Sequence, residues 1–236
     1  GIAVRSHRPS RSLREEPATS CLLTLAQLAH PAWGIRPARF DVVYALMEAI
    51  NGLDLGRAQL LVHGAYKIVD TLPHFEAFDA VKADYQERIT FELGNRYDKL
   101  RLWIKDYIDA EQDLALDHFF SRLFGEVLSQ AGFGFHDSFD AAEVTANLID
   151  STQKFRRIIM ETGTPLANKS PAQEYVEMVS EGIIADSYLY NWSVEDKNAV
   201  LLAPAYTFLL SNNPVDYQFW LNIGGRGWSE RLYQPL

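Results

Sequence analysis

Two groups of lysine and arginine residues are the strongest candidates for binding chemistry in this chain of 236 residues. Their side chains bind the phosphates of a nucleic-acid backbone, and a few of them on one surface are enough for a weak contact. Salt bridges to the abundant acidic side chains are the alternative role, and such surface pairs contribute little to stability. The candidate nucleic-acid contacts are Arg5, Arg8 and Arg11, which recur at three-residue spacing, and Lys154, Arg156 and Arg157.

The sequence lacks the common catalytic motifs. The phosphate-binding loop G-x-x-x-x-G-K-[ST] is absent, and Gly132 and Gly134 lack the third glycine and the preceding strand of a dinucleotide site. Cys21 lies on the apolar face of a predicted helix, where a nucleophile is not expected. We therefore predict no catalytic residues in this chain, and neither hydrolysis nor tight binding of ATP, because phosphoryl transfer requires a phosphate cradle.

Metal binding is not indicated by the histidines. None of them has a second His or Cys at the spacing of metal ligands, so we predict no metal site and no cofactor within this chain. Asp117 and His118 are neighbours, as are His136 and Asp137, and adjacent helical side chains point apart. Capping and surface roles are therefore expected for these pairs. The six histidines are His7, His30, His63, His74, His118 and His136.

A group of aromatic residues near the C-terminal end has two candidate roles. Aromatic rings stack on the bases of single-stranded nucleic acids. They also fill cores and interfaces, which is the more common role. The residues are Trp192, Tyr206, Tyr217, Trp220 and Trp228.

Composition and charge limit the class of protein. The formal net charge is -9, from 31 acidic residues against 22 Lys and Arg, which argues against a dedicated nucleic-acid-binding domain but not against a local basic patch. Cys21 is the single cysteine, which rules out an intrachain disulfide and suits a reducing compartment such as the cytoplasm. Apolar runs stay well short of the roughly 18 residues of a membrane span, so we expect no membrane partner.

The elements that carry these residues are predicted to be mainly helical. Apolar residues follow helical spacing over residues 17–190, and we expect about eight helices there. Lys154, Arg156 and Arg157 lie together on one of the later helices. Asp117 is predicted to cap an earlier helix, because aspartate is a favoured N-cap residue.

Other helix boundaries follow from capping residues and prolines. Asp54 is predicted to cap the third helix, and residues 170–173 read Ser-Pro-Ala-Gln, a capping box. Pro73 is predicted to open a fourth helix, with Phe75 and Phe78 on its inward stripe.

The only predicted sheet is small and lies mostly near the C-terminal end. Residues 199–203 and 219–223 are continuous apolar runs bounded by turn residues, which is typical of buried strands. Residues 2–4 are a further candidate strand for the same sheet. The predicted fold is thus a helical body that leads into a small α/β edge.

The beginning of the chain resembles a known family. Residues 1–4 read GIAV, a basic loop follows, and SLREEP at residues 12–17 leads into a leucine-rich helix. This order is similar to UvrD/PcrA-like superfamily-I DNA helicases just after their fourth motif, where a GIPY strand precedes a loop and a helix. The helical stretch that follows resembles the helical insertion known as subdomain 2B.

The C-terminal end resembles the fifth motif of those helicases in a degenerate form. The family reads roughly TVHAAKGLEFPVVFLVG there, while this chain has LLAPAY at residues 201–206 and VDYQFWLNIG at residues 215–224. FLLS at residues 208–211 stands where the Lys-Gly-Leu-Glu core is missing. The AddB-like branch of the family includes members with decayed motifs, and it is the branch that this chain resembles.

The resemblance implies a domain organisation and a function. Residues 1–16 would be a flanking strand and basic loop, residues 17–195 a 2B-like subdomain, and residues 196–236 part of subdomain 2A.

The chain would be a fragment of a helicase-like DNA repair or recombination protein, acting as a DNA-contacting or structural accessory unit. Its partners would be DNA, bound weakly and without sequence preference, and the remaining subdomains. ATP and Mg²⁺ would belong to the parent if it is an active helicase. The alternative is a helical protein-interaction module without a DNA role, and a small-molecule enzyme is a third reading.

Overall fold

The computed structural model describes residues 4–6, 16–70, 72–110, 114–163, 169–181, 200–203, 208 and 214–223. The chain divides into two compact units. One is Ser12–Leu189, and the other combines Gly1–Arg11 with Tyr190–Leu236. The described part of the first unit is mainly helical, and the described part of the second contains a short parallel strand pair.

The helical unit confirms the predicted mainly helical fold. Eight α-helices lie in its described residues, together with short 3-10 turns and one π-helical turn at Phe124–Leu128. The helices are α1 (Pro17–Ala29), α2 (Arg39–Ala49), α3 (Leu55–Ala65), α4 (Ala83–Ile89), α5 (Phe91–Asp109), α6 (Leu116–Leu123), α7 (Phe139–Thr162) and α8 (Pro171–Glu181).

The core of this unit is built around α1. Most of its residues are buried, and Leu22 and Leu25 are fully enclosed. Helices α2, α5, α6 and α7 all contact it. A helix that is apolar on nearly every side must be central, because each face removed from water contributes to stability.

Polar side chains cap the beginnings of two helices at the positions predicted from the sequence. Asp54 accepts a hydrogen bond from the backbone N–H of Arg57 at 3.0 Å. Ser170 accepts one from the N–H of Gln173 at 3.1 Å. Both predicted caps are confirmed. Asp117 is different, because α6 begins at Leu116 and Asp117 lies inside its first turn, so its predicted role as the cap is wrong.

A β-hairpin replaces the beginning of the predicted fourth helix. Strands β2 (Tyr66–Val69) and β3 (Leu72–Phe75) pair in antiparallel register, so Pro73 lies in a strand and not at a helix start. Asp70 turns the chain with a positive φ of 47°, a conformation that aspartate tolerates better than most residues. The following helix, α4, begins only at Ala83. The prediction of a single sheet is therefore wrong.

The loop after the π-helical turn packs against the end of α2. The N–H of Gly134 donates to the carbonyl oxygen of Ala49 at 2.9 Å, and the N–H of Asn51 donates to that of Gly132 at 3.2 Å. Phe133 forms an isolated antiparallel bridge with Ile50, and its ring is buried. The backbones of Gly132 and Gly134 therefore form a tertiary contact with the end of α2 and the residue Asn51 that follows it.

The second unit contains a two-stranded parallel sheet. Strand β1 (Val4–Ser6) pairs with β4 (Val200–Leu202), with Val4 opposite Val200. Both strands were expected, although β1 lies two residues later than the run at residues 2–4. The expected burial of β4 is wrong, since Val200 is 54% and Leu202 is 55% exposed. The predicted strand at residues 219–223 is wrong, since this segment has no regular structure and Asn222 has a positive φ of 53°. Its side chains are exposed, so its apolar composition is not matched by burial.

Candidate nucleic-acid interface

Helix α7 carries the three candidate cations that lie in the helical unit. Its buried residues belong to its first four turns and end at Thr152. Lys154 and Arg157 follow on the exposed side, while Arg156 is only partly exposed. Lys154 and Arg157 are three residues apart and are neighbours on the helix surface, whereas Arg156 lies about 200° around the helix from Lys154 and about 100° from Arg157. The sequence cluster is therefore split by helical geometry.

Lys154 forms an ion pair on its own helix. Its Nζ lies 2.7 Å from Oδ2 of Asp150, one turn earlier, and both side chains are about half exposed. Exposed pairs at this spacing contribute only about 0.3–0.5 kcal/mol, so the ammonium can exchange its partner for a phosphate at low cost.

Arg156 reaches across to α6. Its Nη2 donates to Oδ2 of Asp117 at 2.8 Å, and the Asp117 side chain is only 4% exposed. Because a buried carboxylate requires a partner, this contact ties the two helices together. One oxygen of Asp117, Oδ1, and the Nε of Arg156 are buried without a hydrogen-bond partner.

His118 also approaches this carboxylate. Its Nε2 lies 3.6 Å from Oδ2 of Asp117, and Nε2 of His136 lies 3.8 Å from Oδ1 of Asp137. The expectation that these adjacent side chains point apart is therefore wrong. Among the described residues, no three His, Cys, Asp or Glu side chains are grouped so that they could hold a metal ion.

Arg157 forms no ion pair among the described residues, although Glu161 lies one turn later on the same side of α7. Its side chain is exposed. It is therefore the cation of α7 with the most freedom to meet an external anion.

The remaining candidates belong to the second unit. Arg5 lies on β1 opposite Leu201. Arg8 and Arg11 lie outside the described residues, as do Trp192, Tyr206 and Trp228. The contacts predicted for these residues stay predictions.

Two aromatic candidates lie in the described segment at residues 214–223. Tyr217 is 84% exposed, and the Nε1 of Trp220 donates to Oε1 of Gln218 at 3.0 Å. Neither ring is part of the core of buried residues. The core role therefore does not apply to this pair, and the interface and base-stacking roles stay predictions.

Cys21 is enclosed in the core. Its thiol donates to the carbonyl oxygen of Ala45 at 3.3 Å and is fully buried. Burial raises the pKa of the thiol well above its ordinary range, with a smaller contribution from the carboxylate of Glu48. The thiolate, which is the reactive form, is therefore strongly disfavoured.

Native Cys21 is expected to resist thiol reagents. At pH 8 we expect labelling by an aromatic disulfide reagent to be at least about a hundredfold slower than in denaturant. In the folded protein the reagent cannot reach the buried thiol, and the thiol does not ionise to the reactive thiolate. Absorbance of the released thiolate measures both rates. Rapid labelling of the native protein would show that the thiol is accessible.

Among the described residues, no helix combines the length and apolar content required to cross a lipid bilayer.

Searches with protein-family models, curated proteins and solved structures find no match for this chain.

Proposed function

We propose that this chain is a helical accessory unit of a helicase-like DNA repair or recombination protein. It resembles a 2B-like insertion between strands of subdomain 2A, contacts DNA weakly through the backbone, and carries no catalytic residues of its own. Its partners are DNA and the other subdomains of the parent, where ATP and Mg²⁺ would bind. The expected location is the cytoplasm.

The observation that carries this proposal is the pairing of β1 with β4. The resemblance expects one strand before the helical insertion and another after it, within one sheet. Val4 pairs with Val200 in parallel, and the whole helical unit lies between them in sequence. Parallel neighbours need a crossover connection, and here a mainly helical unit occupies that position. This order of elements supports an insertion of the 2B kind.

Lys154 and Arg157 are the described residues best suited to contact DNA. Both are exposed on one side of α7, and neither is held by a buried group. Since the net charge of -9 opposes the approach of DNA, the expected binding is weak, independent of base sequence and strongly reduced by salt.

Replacing both Lys154 and Arg157 with glutamine is expected to weaken binding to a duplex with a single-stranded tail. We expect a loss of about tenfold at low salt, together with a slope of log K against log salt that is less negative by about 2, because each phosphate contact contributes roughly 0.9. Fluorescence anisotropy at low and moderate salt measures both quantities.

A charge-matched variant controls for loss of net charge. Arg88 on α4 and Lys105 on α5 are exposed, and their replacement with glutamine removes the same charge elsewhere. An equal loss of affinity in this control would contradict contact through α7.

A helical protein-interaction module is the second candidate. It is favoured by the run of large apolar side chains that stay exposed at residues 215–223, where Phe219 is 87% and Leu221 is 72% exposed. Exposed apolar groups of this size mark interaction surfaces when they form a patch. Absence of duplex binding even at low salt would favour this second function.

A further inference from the structure

A surface pocket lies beside the last turns of α7. Its volume is about 290 Å³. The side chains that line it come from three successive turns, at residue 153, at residues 156 and 157, and at residues 160 and 161, so they share one broad side of the helix. Among the described residues they are Gln153, Arg156, Arg157, Met160 and Glu161.

The lining is suited to a small anion. Two guanidinium groups and one carboxamide can donate hydrogen bonds, and Glu161 contributes the one carboxylate, which leaves a net charge of +1 on this set. Guanidinium groups bind phosphate oxygens with charge-assisted hydrogen bonds, which can be two and parallel for Arg157, whereas Arg156 already uses Nη2 on Asp117. All the described lining residues lie on one helix, so this is an open surface site, which suits a group held by charge-assisted hydrogen bonds, such as a phosphate, more than an enclosed ligand.

Asp117 fixes one of the two guanidinium groups. Its buried carboxylate accepts a hydrogen bond from Nη2 of Arg156 at 2.8 Å. The same arginine also lines the pocket. An arginine held in this way loses less side-chain freedom when it binds an anion. The buried carboxylate also reduces the positive field, so the affinity for a single phosphate should be low.

We infer that this pocket binds one phosphate of a DNA backbone. Arg156 is the donor oriented by Asp117, Arg157 is the exposed second donor, and Gln153 adds a neutral one. Asp117 is a positioning residue, because it acts only through Arg156. The residues of the pocket indicate a phosphate group as the ligand. That this phosphate belongs to DNA rests on the proposed function.

Glu161 provides a test that does not depend on losing a contact. Its carboxylate repels a phosphate in the pocket, so Glu161→Gln is expected to tighten binding of inorganic phosphate and of the tailed duplex by about threefold each. NMR titration of the Nε–H signal of Arg156 and the amide signals of Gln153 follows inorganic phosphate, and fluorescence anisotropy follows the duplex.

Glu143→Gln is the matched control on the same helix. Glu143 is exposed and lies about 27 Å from Glu161 along α7, at about 1.5 Å per residue. This distance is beyond the screening length of about 8 Å at physiological salt, so no effect is expected.

The outcomes separate the two proposals. Tighter binding in Glu161→Gln alone, with shifted Arg156 signals, supports the pocket. Duplex binding that responds equally to both variants overturns the pocket assignment and leaves the proposed function standing. Phosphate binding at Arg156 without any duplex binding supports a phosphate pocket and overturns DNA as the source. Unmoved Arg156 and Gln153 signals at saturating phosphate overturn the inference.

Discussion

Replacing Gly134 with alanine is expected to lower the free energy of unfolding of the helical unit by about 3 kcal/mol, the upper part of the range for overpacking. A Cβ at this position would lie 2.0 Å from the carbonyl oxygen of Glu48. That oxygen belongs to the backbone of α2 and cannot rotate away as a side chain can. The loop must therefore move, and the hydrogen bond from Gly134 to Ala49 is lost with it.

Urea unfolding and thermal melting followed by circular dichroism measure this loss. For a unit of this size the expected decrease in Tm is roughly 6–12 °C. Gly125→Ala is the control, because no atom lies within 4 Å of a Cβ there, and it should change stability by less than about 1 kcal/mol. A Gly134→Ala protein with wild-type stability would contradict the close approach of the loop to α2.

Replacing Arg156 with methionine is expected to cost about 3 kcal/mol. The change leaves Asp117 buried without its cation, and removal of one member of a buried pair costs about 3–5 kcal/mol. We take the lower end because the Arg156 side chain is 34% exposed and partly screened by water. Denaturant unfolding of this variant is compared with that of Arg157→Met, which removes an exposed arginine one position later and should change stability by less than about 0.5 kcal/mol.

A double-mutant cycle tests the interaction itself. Asp117→Leu combined with Arg156→Met replaces both charges with apolar groups of similar volume, and such replacements are often neutral. Most of the stability lost by the single variants should return. Losses that simply add would show that the two side chains contribute independently.

Apolar spacing predicted which side chains are buried more reliably than it predicted the backbone that carries them. Phe75 and Phe78 are buried as expected, yet Phe75 lies on β3 and Phe78 on a 3-10 turn. Over fewer than two helical turns, a spacing of three residues does not distinguish a helix from a strand followed by a turn. Asp70 between two short apolar runs was the local signal for the hairpin.

The strand predictions differ in outcome because a strand depends on its neighbour. Residues 200–202 have a partner in β1, whereas the described segment at residues 214–223 has no ladder partner among the described residues. Apolar composition indicates that a segment suits a sheet but does not supply the hydrogen-bonding strand beside it.

The candidate site could be predicted only in part. The basic cluster on α7 is visible in the sequence. The sequence does not show that Lys154 and Arg157 are exposed while Arg156 pairs with a buried carboxylate. Asp117 and Arg156 are far apart in the chain and meet only because α6 packs on α7. Local signals identified Asp117 as a helix-start residue, which is near its true place but misses its partner.

Parallel pairing between Val4 and Val200 also bears on the order of folding. Closing a loop costs entropy that grows with the logarithm of its length, and this loop contains most of the chain. The helices depend on contacts that are closer in sequence, and local contacts form fastest. Once the helical unit has formed, the flexible part of this loop is shorter than the chain segment between the two strands, so less entropy is lost when it closes. We therefore expect the small sheet to assemble after the helical unit.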